Sequence, residues 1–208
     1  MAGLILKDLL NLRHYSKMIL FILVFFAVVA YAGEMQSYFT SMTAVLFIML
    51  PITTFAYDQQ SKWELFAVAM PVTRKEIVLG KYVLALAMIL LGSAVSILLT
   101  LIVHLLKGQA AAVQEMLTAT GVIAVFGMIF ISIMIPLVYR FGVEKSRMMT
   151  LIVAGVPVLL VAVLSRSGAG IPEDADLMLW LYLSPAAAAA CLAVSYMISC
   201  KIFQSSDL

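Results

Sequence analysis

Charged positions along this chain are few, and they fall in short groups separated by long apolar stretches. Six stretches contain no Asp, Glu, Lys or Arg: Met18–Gly33, Met35–Tyr57, Tyr82–Leu106, Met116–Tyr139, Met148–Ser165 and Leu177–Cys200. Apolar residues lie all round a helical projection of each stretch, as in membrane-spanning helices and not in an outer-membrane barrel. A helical span takes about 20 mostly apolar residues, with about 17–25 tolerated. The pattern predicts an all-α integral membrane protein, a single transmembrane domain over residues 1–208. Its six spans fall at about 18–33, 38–57, 82–106, 116–139, 148–165 and 178–200. The first and fifth are short, so Lys17 and Arg166 are expected to snorkel at their ends.

The segments between the spans carry their own patterns. In Ala2–Lys17, Ile5, Leu9 and Leu12 recur at helical spacing beside Leu6 and Leu10, and Lys7, Asn11 and His14 form a polar stripe. This predicts an amphipathic helix lying in the membrane interface, either an elbow that carries force or a passive anchor. In Asp58–Lys81, Ser61-Lys62-Trp63-Glu64 fits a capping box, as does Thr73-Arg74-Lys75-Glu76, with Val72 and Ile77 as a hydrophobic staple. The expectation is a short helix from Lys62 to Met70, a break at Pro71 and a new helix entering the third span. Trp63, Phe66 and Met70 share one stripe of the short helix, which at about 13 Å cannot span a bilayer. It reads as a rigid, aimed element or as an interfacial helix with no partner. The run Arg140–Arg147 reads as a tight turn, with Gly142 available for a positive φ. Glu144, Lys145 and Arg147 complete that loop.

Composition removes most alternatives. The chain is 64% hydrophobic and 12% charged, with a mean hydropathy of +1.12, against about 45–50% apolar and about 25% charged in soluble domains. That excludes a soluble enzyme, a secreted disulfide scaffold and a nucleic-acid binder. Placing the N-terminus inside leaves only Lys107 and Arg166, of 13 Lys and Arg, on the outer side, so both termini are expected to be cytoplasmic in a multi-pass plasma-membrane protein. A cleavable signal peptide ending near Ala30-Tyr31-Ala32 is the competing reading of the first span; the 17-residue lead-in before its apolar region is long for one, and the spans that follow need an inward start. Cys191 and Cys200 project from opposite faces of the last span and cannot bridge each other.

Candidate chemistry is sparse. There is no G-x-x-x-x-G-K-[ST] phosphate loop, so nucleotide hydrolysis by this chain is not expected; H-E-x-x-H, C-x-x-C and G-x-S-x-G are absent too. No metal site is expected, and the acidic loop holding Glu173, Asp174 and Asp176 lacks EF-hand spacing. His104, near the outer end of the third span, reads as an interfacial histidine or a proton or ligand site. No carboxylate lies inside a predicted span, which counts against a proton- or sodium-driven transporter. Gly92, Ser96 and Thr100 repeat every four residues beside Ser93, a face for close helix packing within the bundle or with another copy. Pro51, Pro136, Pro157 and Pro185 are placed to kink their helices.

Three segments carry a family resemblance. Lys62-Trp63-Glu64, Met70-Pro71-Val72-Thr73-Arg74-Lys75-Glu76-Ile77-Val78 and Lys81-Tyr82 resemble the signature between the second and third spans of type-two ABC exporter permeases. The resemblance is strongest to the small six-span subfamily that includes permeases of phenol-soluble modulin exporters. Pro136-Leu137-Val138-Tyr139-Arg140-Phe141-Gly142-Val143-Glu144-Lys145-Ser146-Arg147 is similar to that subfamily's second signature, and Ser195–Phe203 to its closing segment. The resemblance implies a permease subunit of an ATP-driven exporter that itself binds no cofactor. ATP and magnesium would belong to a separate ATP-binding subunit, present in two copies, and a second permease, identical or related, would complete the pathway. The Asp58–Met70 region would be a cytoplasmic coupling helix docking on that subunit, with Trp63 as apolar anchor, Lys62 and Glu64 as polar contacts and Phe66 beside them. Pro71, Thr73, Arg74, Lys75 and Glu76 would fix the turn into the third span. Cargo would be an amphipathic peptide or a hydrophobic antimicrobial. The alternative is a non-transporting membrane scaffold or peptide-immunity protein. The tail, Gln204 to Leu208, is less basic than the family pattern.

Overall fold

A computed structural model describes residues 2–13, 15–33, 36–68, 72–108, 113–166 and 177–205. Every element among them is helical: α1 Ala2–Arg13, α2 Ser16–Ala32, α3 Gln36–Gln60, α4 Trp63–Val68, α5 Arg74–Lys107, α6 Val113–Arg166 and α7 Leu177–Ser205. Four stretches are long and apolar enough to cross a membrane: Ser41–Gln60, Arg74–Lys107, Val113–Ser146 and Leu183–Ser205. Taken as one unit bent by 62°, α1 and α2 add a fifth. The chain is a multi-pass membrane protein.

The helices run past the charge-free stretches, and polar contacts explain where they stop. At 34 residues, α5 is about 51 Å long, whereas the hydrocarbon layer is about 30 Å thick. It starts eight residues before Tyr82 because Thr73 caps it: the Thr73 side chain accepts from the Glu76 amide, and the Glu76 carboxylate accepts from the Thr73 amide at 2.8 Å. Val72 and Ile77 both join the main core, as the staple requires. The other expected box works differently. The Ser61 hydroxyl donates to the Tyr57 carbonyl at 2.8 Å, and Lys62 takes a left-handed φ of 50°. Ser61 therefore helps to end α3, and α4 begins at Trp63 as a six-residue helix. Met70 and Pro71 lie outside the described residues, as do His14, the acidic loop with Glu173, Asp174 and Asp176, and the tail beyond Ser205.

The expected turn at Arg140–Arg147 contracts to a single residue. Across 54 residues, α6 is interrupted only at Gly142, whose φ of 79° and ψ of 172° no other residue adopts without strain. Gln59 of α3 closes the break, its Oε1 accepting from the Val143 amide at 2.9 Å.

Core residues of α3, α4, α5, α6 and α7 pack into one cluster, among them Phe55, Ala67, Tyr82, Ile89, Ile135 and Phe203. The outer surface is apolar as well: Phe21 is 72% exposed and Leu105 78%, as suits a lipid-facing wall. Where hydrocarbon lies on both sides, apolar burial does little to order the helices, and close packing and hydrogen bonds take over. Gly92 lets α3 and α5 touch, with Ser96 and Thr100 buried along the same face. The small-residue face is thus used within the chain. Tyr82 hydrogen-bonds Ser195 at 2.6 Å and Ser199 at 2.9 Å, and Ser195 donates to the Ser132 carbonyl. Those contacts join α5, α6 and α7.

A Cβ on Gly92 would stand 2.5 Å from Phe47 Cβ, an atom fixed to the α3 backbone. Gly92→Ala should therefore destabilise the protein by about 1–3 kcal/mol, and Gly142→Ala by a similar amount, about 1–3 kcal/mol, through backbone strain. Gly121, whose Cβ would meet nothing within 4 Å, is the neutral control. Thermal unfolding of the three variants in one detergent checks the order.

Candidate functional site

The middle of α1, the starts of α4 and α5 and the end of α3 converge on a knot of four charges. Lys81 Nζ lies 2.6 Å from Asp58 Oδ2 and 2.9 Å from Asp8 Oδ2. Lys7 Nζ lies 2.6 Å from Asp58 Oδ1 and 3.1 Å from Asp8 Oδ1. Three of the four residues are buried: Asp8, Asp58 and Lys81. Each carboxylate spans both ammonium groups, so two anions and two cations cancel. Lys81 also donates to Thr54 Oγ1 at 3.3 Å and lies 5.0 Å from the centre of the Phe55 ring. One contact is weaker: Asp8 Oδ1 faces Lys7 at ion-pair distance without hydrogen-bond alignment. Burying charge is costly unless it is paired, and this arrangement leaves no net charge behind.

Local sequence explains how the knot is reached. Asp8 sits on the line Leu4, Asp8, Leu12, spaced by four, and that line is the inward face of α1; Leu12 is buried with Leu84 and Met88. The outward face is apolar, with Leu6 and Leu10 exposed. On α1, then, a carboxylate faces the protein and leucines face outward. Asp58 belongs to the last turn of α3, one residue past the charge-free stretch, and Lys81 to the second turn of α5.

Trp63 opens α4 and packs on the core beneath Lys7, whose Nζ is 4.3 Å from its ring centre. Three residues on, Phe66 is 62% exposed, and Ala67 is the buried contact. The aromatic stripe thus divides, one ring inward and one outward. The side chain of Glu64 lies outside the described residues. Lys62 is exposed at the α3–α4 corner. Arg74 leaves α5 and donates from Nη1 to the carbonyls of Phe203 at 2.9 Å and Gln204 at 3.1 Å, satisfying the end of α7. Lys75 is exposed beside it. Glu76 lies in the polar turns that precede the apolar part of α5. Its carboxylate accepts from the Thr73 amide and hydroxyl, each at 2.8 Å.

The second loop comes to the same end of the bundle. Gly142 abuts Gln59, and a cleft of about 440 Å³ is lined by Ala56, Gln59, Gln60, Val143 and Glu144. Arg140 lies over Phe141, 5.4 Å from its ring centre, and an apolar groove of about 340 Å³ runs beneath it between Pro136 and Ile202. Lys145 is exposed, and the Arg147 side chain lies outside the described residues. At the opposite end, His104 Nδ1 contacts the Thr100 carbonyl at 2.9 Å, and Lys107 donates to the Gly33 carbonyl at 2.7 Å. Among the described residues no group of His, Cys, Asp and Glu is placed to hold a metal ion.

Local sequence patterns mark α4 and the α5 cap, but none marks the knot. Lys7 falls in the polar stripe of the first segment, and Asp8 belongs to no motif. The available signal was that Asp8 is the one acidic residue in the first 33 and lies in phase with Leu4 and Leu12. Removing one partner of a buried pair costs about 3–5 kcal/mol. Lys81→Met should therefore destabilise strongly, and adding Asp8→Asn should recover part of the loss by restoring neutrality. Unfolding of the single and double variants in detergent measures that coupling.

The comparisons fit this architecture. A family model described as "ABC-2 family transporter protein" matches residues 3–204. Comparison with curated proteins and with solved structures finds no match. Permeases of this family are the membrane components of transporters and normally work with an ATP-binding subunit. From α1 to the end of α7, the chain belongs to the ABC-2 family of transporter proteins.

Proposed function

We propose that this chain is the membrane-spanning half of an ATP-driven exporter with six spans and both termini in the cytoplasm. The spans are α2, α3, α5, the two parts of α6 on either side of Gly142, and α7. At about 81 Å in total, α6 is long enough for two crossings of a hydrocarbon layer about 30 Å thick. With this topology the knot, α4 and the Gly142 break all face the cytoplasm, where an ATP-binding subunit would dock. A second permease copy, identical or related, would complete the pathway, and two ATP-binding subunits would drive it. The cargo we favour is an amphipathic peptide or hydrophobic antimicrobial entering from the lipid.

The observation that carries this reading is the family match over residues 3–204. Within it, α4 has the build of a coupling helix. Too short to be stable alone, it is held by Trp63 under Lys7 and by Ala67 in the core. Phe66 is left outward at 62% exposure. An exposed aromatic on a fixed mount suits an interface anchor. Docking thus falls to Phe66, and Trp63 holds the mount.

The test is purification of the tagged chain from its native membrane in mild detergent. A stoichiometric ATP-binding subunit whose hydrolysis the permease stimulates is the expected result. Phe66→Ala should lower its retention about tenfold or more while membrane insertion stays normal. Recovery of the chain alone, under conditions that preserve other transporter complexes, would favour the scaffold or immunity reading.

A further inference from the structure

The four-charge knot divides in a particular way. Two of its residues, Lys7 and Asp8, are on α1; the other two, Asp58 and Lys81, are on α3 and α5. Each half is neutral, and each holds its own ion pair: Lys7 with Asp8 at 3.1 Å, Lys81 with Asp58 at 2.6 Å. The remaining contacts, Lys7–Asp58 at 2.6 Å and Lys81–Asp8 at 2.9 Å, cross between the halves. We propose that α1 is a detachable clamp, built to leave and regain its seat on α3 and α5 without stranding a buried charge.

Three further features fit a reversible joint. When α1 leaves, Lys81 keeps Asp58, the Thr54 hydroxyl and the Phe55 ring face, so its ammonium stays satisfied. Asp8 Oδ1, now without an aligned donor, becomes free to take Lys7 fully once Asp58 is gone. The apolar contacts of α1 are weak restraints. Leu4 rests on Gly80, its Cβ 3.8 Å from where a Gly80 Cβ would stand. Such contacts exchange for lipid at little cost, and Leu6 and Leu10 already face outward. The charges therefore decide whether α1 is seated. Because Lys7 also covers Trp63 at 4.3 Å, undocking uncovers the first residue of α4. Seating of α1 and firmness of α4 are thereby linked through one ammonium group. The inference concerns this chain's own elements and holds for any cargo or partner.

The partition makes a sharp prediction for two double variants. Lys7→Met with Asp8→Asn leaves the inner pair Asp58–Lys81, so α1 can leave freely. Lys7→Met with Asp58→Asn leaves only the crossing pair Asp8–Lys81, so leaving would strand a charge on each side. Both variants are neutral, and both lack Lys7. Seating is read by a disulfide between Leu4→Cys and Gly80→Cys, whose 3.8 Å Cβ separation matches the mean of about 3.8 Å in natural bridges. The background carries Cys191→Ser and Cys200→Ala, and the full chain is held in lipid nanodiscs.

Cross-linking in the first variant should be about tenfold slower than in the parent, and in the second at least as fast as in the parent. Equal rates in the two variants would overturn the proposal, as would a parental rate in the first. Should the first variant fail to fold, Lys7→Gln with Asp8→Asn takes its place. With all four charges intact, Leu12→Cys alone, at a position buried when α1 is seated, should react slowly but measurably with a thiol reagent. Complete protection over hours would equally overturn the clamp.

Discussion

Lys81 is the fixed point of this molecule. Its ammonium, buried at the second turn of α5, is reached by carboxylates from two other helices, Asp8 of α1 and Asp58 of α3. With α1 seated, the three helices share one neutral set of charges. A buried charge with one partner is a weak source of stability, but a closed set of four is a strong source of register. Axial shift or rotation of α3 against α5 would separate Asp58 from Lys81 in a medium that screens them poorly.

The same logic runs through the other polar ties. Arg74 holds the end of α7 by its last carbonyls, Gln59 closes the break in α6, and Tyr82 bridges two serines of α7. Each reaches from α3 or α5 to a later helix, so those two helices form the frame to which the rest is fastened. Apolar packing fills that frame without choosing it, since lipid would satisfy the same side chains.

The helical class and the apolar stretches were legible because a charge inside a bilayer is costly, so its absence over twenty residues is a strong signal. The Thr73 box was legible too, since capping is local chemistry over four residues. Ser61 misled for the same reason. A serine between two helices can serve either one, and only the distance to the Tyr57 carbonyl decides. The knot was hidden because its members are 73 and 51 residues apart in the chain. No periodicity links Asp8 to Lys81, and Lys7 reads equally well as a solvated lysine. Trp63 and Phe66 share a stripe, yet a helix this short lets one residue face the core and the other face outward.

Placing the knot beside α4 has a mechanical consequence. In its proposed docking role α4 would have to be stiff enough to pass on a push, and it is too short to supply stiffness from its own hydrogen bonds. It takes it from neighbours: Ala67 sits in the core and Trp63 lies beneath Lys7. Lys7 is the most exposed member of the knot, at 23%, and its ammonium lies over the Trp63 ring. Force on α4 would therefore reach the buried charges through the one residue best able to move. At the far end, Lys107 of α5 donates to the Gly33 carbonyl just past α2. Near α4 the ties are charges that can re-pair, an arrangement suited to let α1 move against the α3–α5 frame.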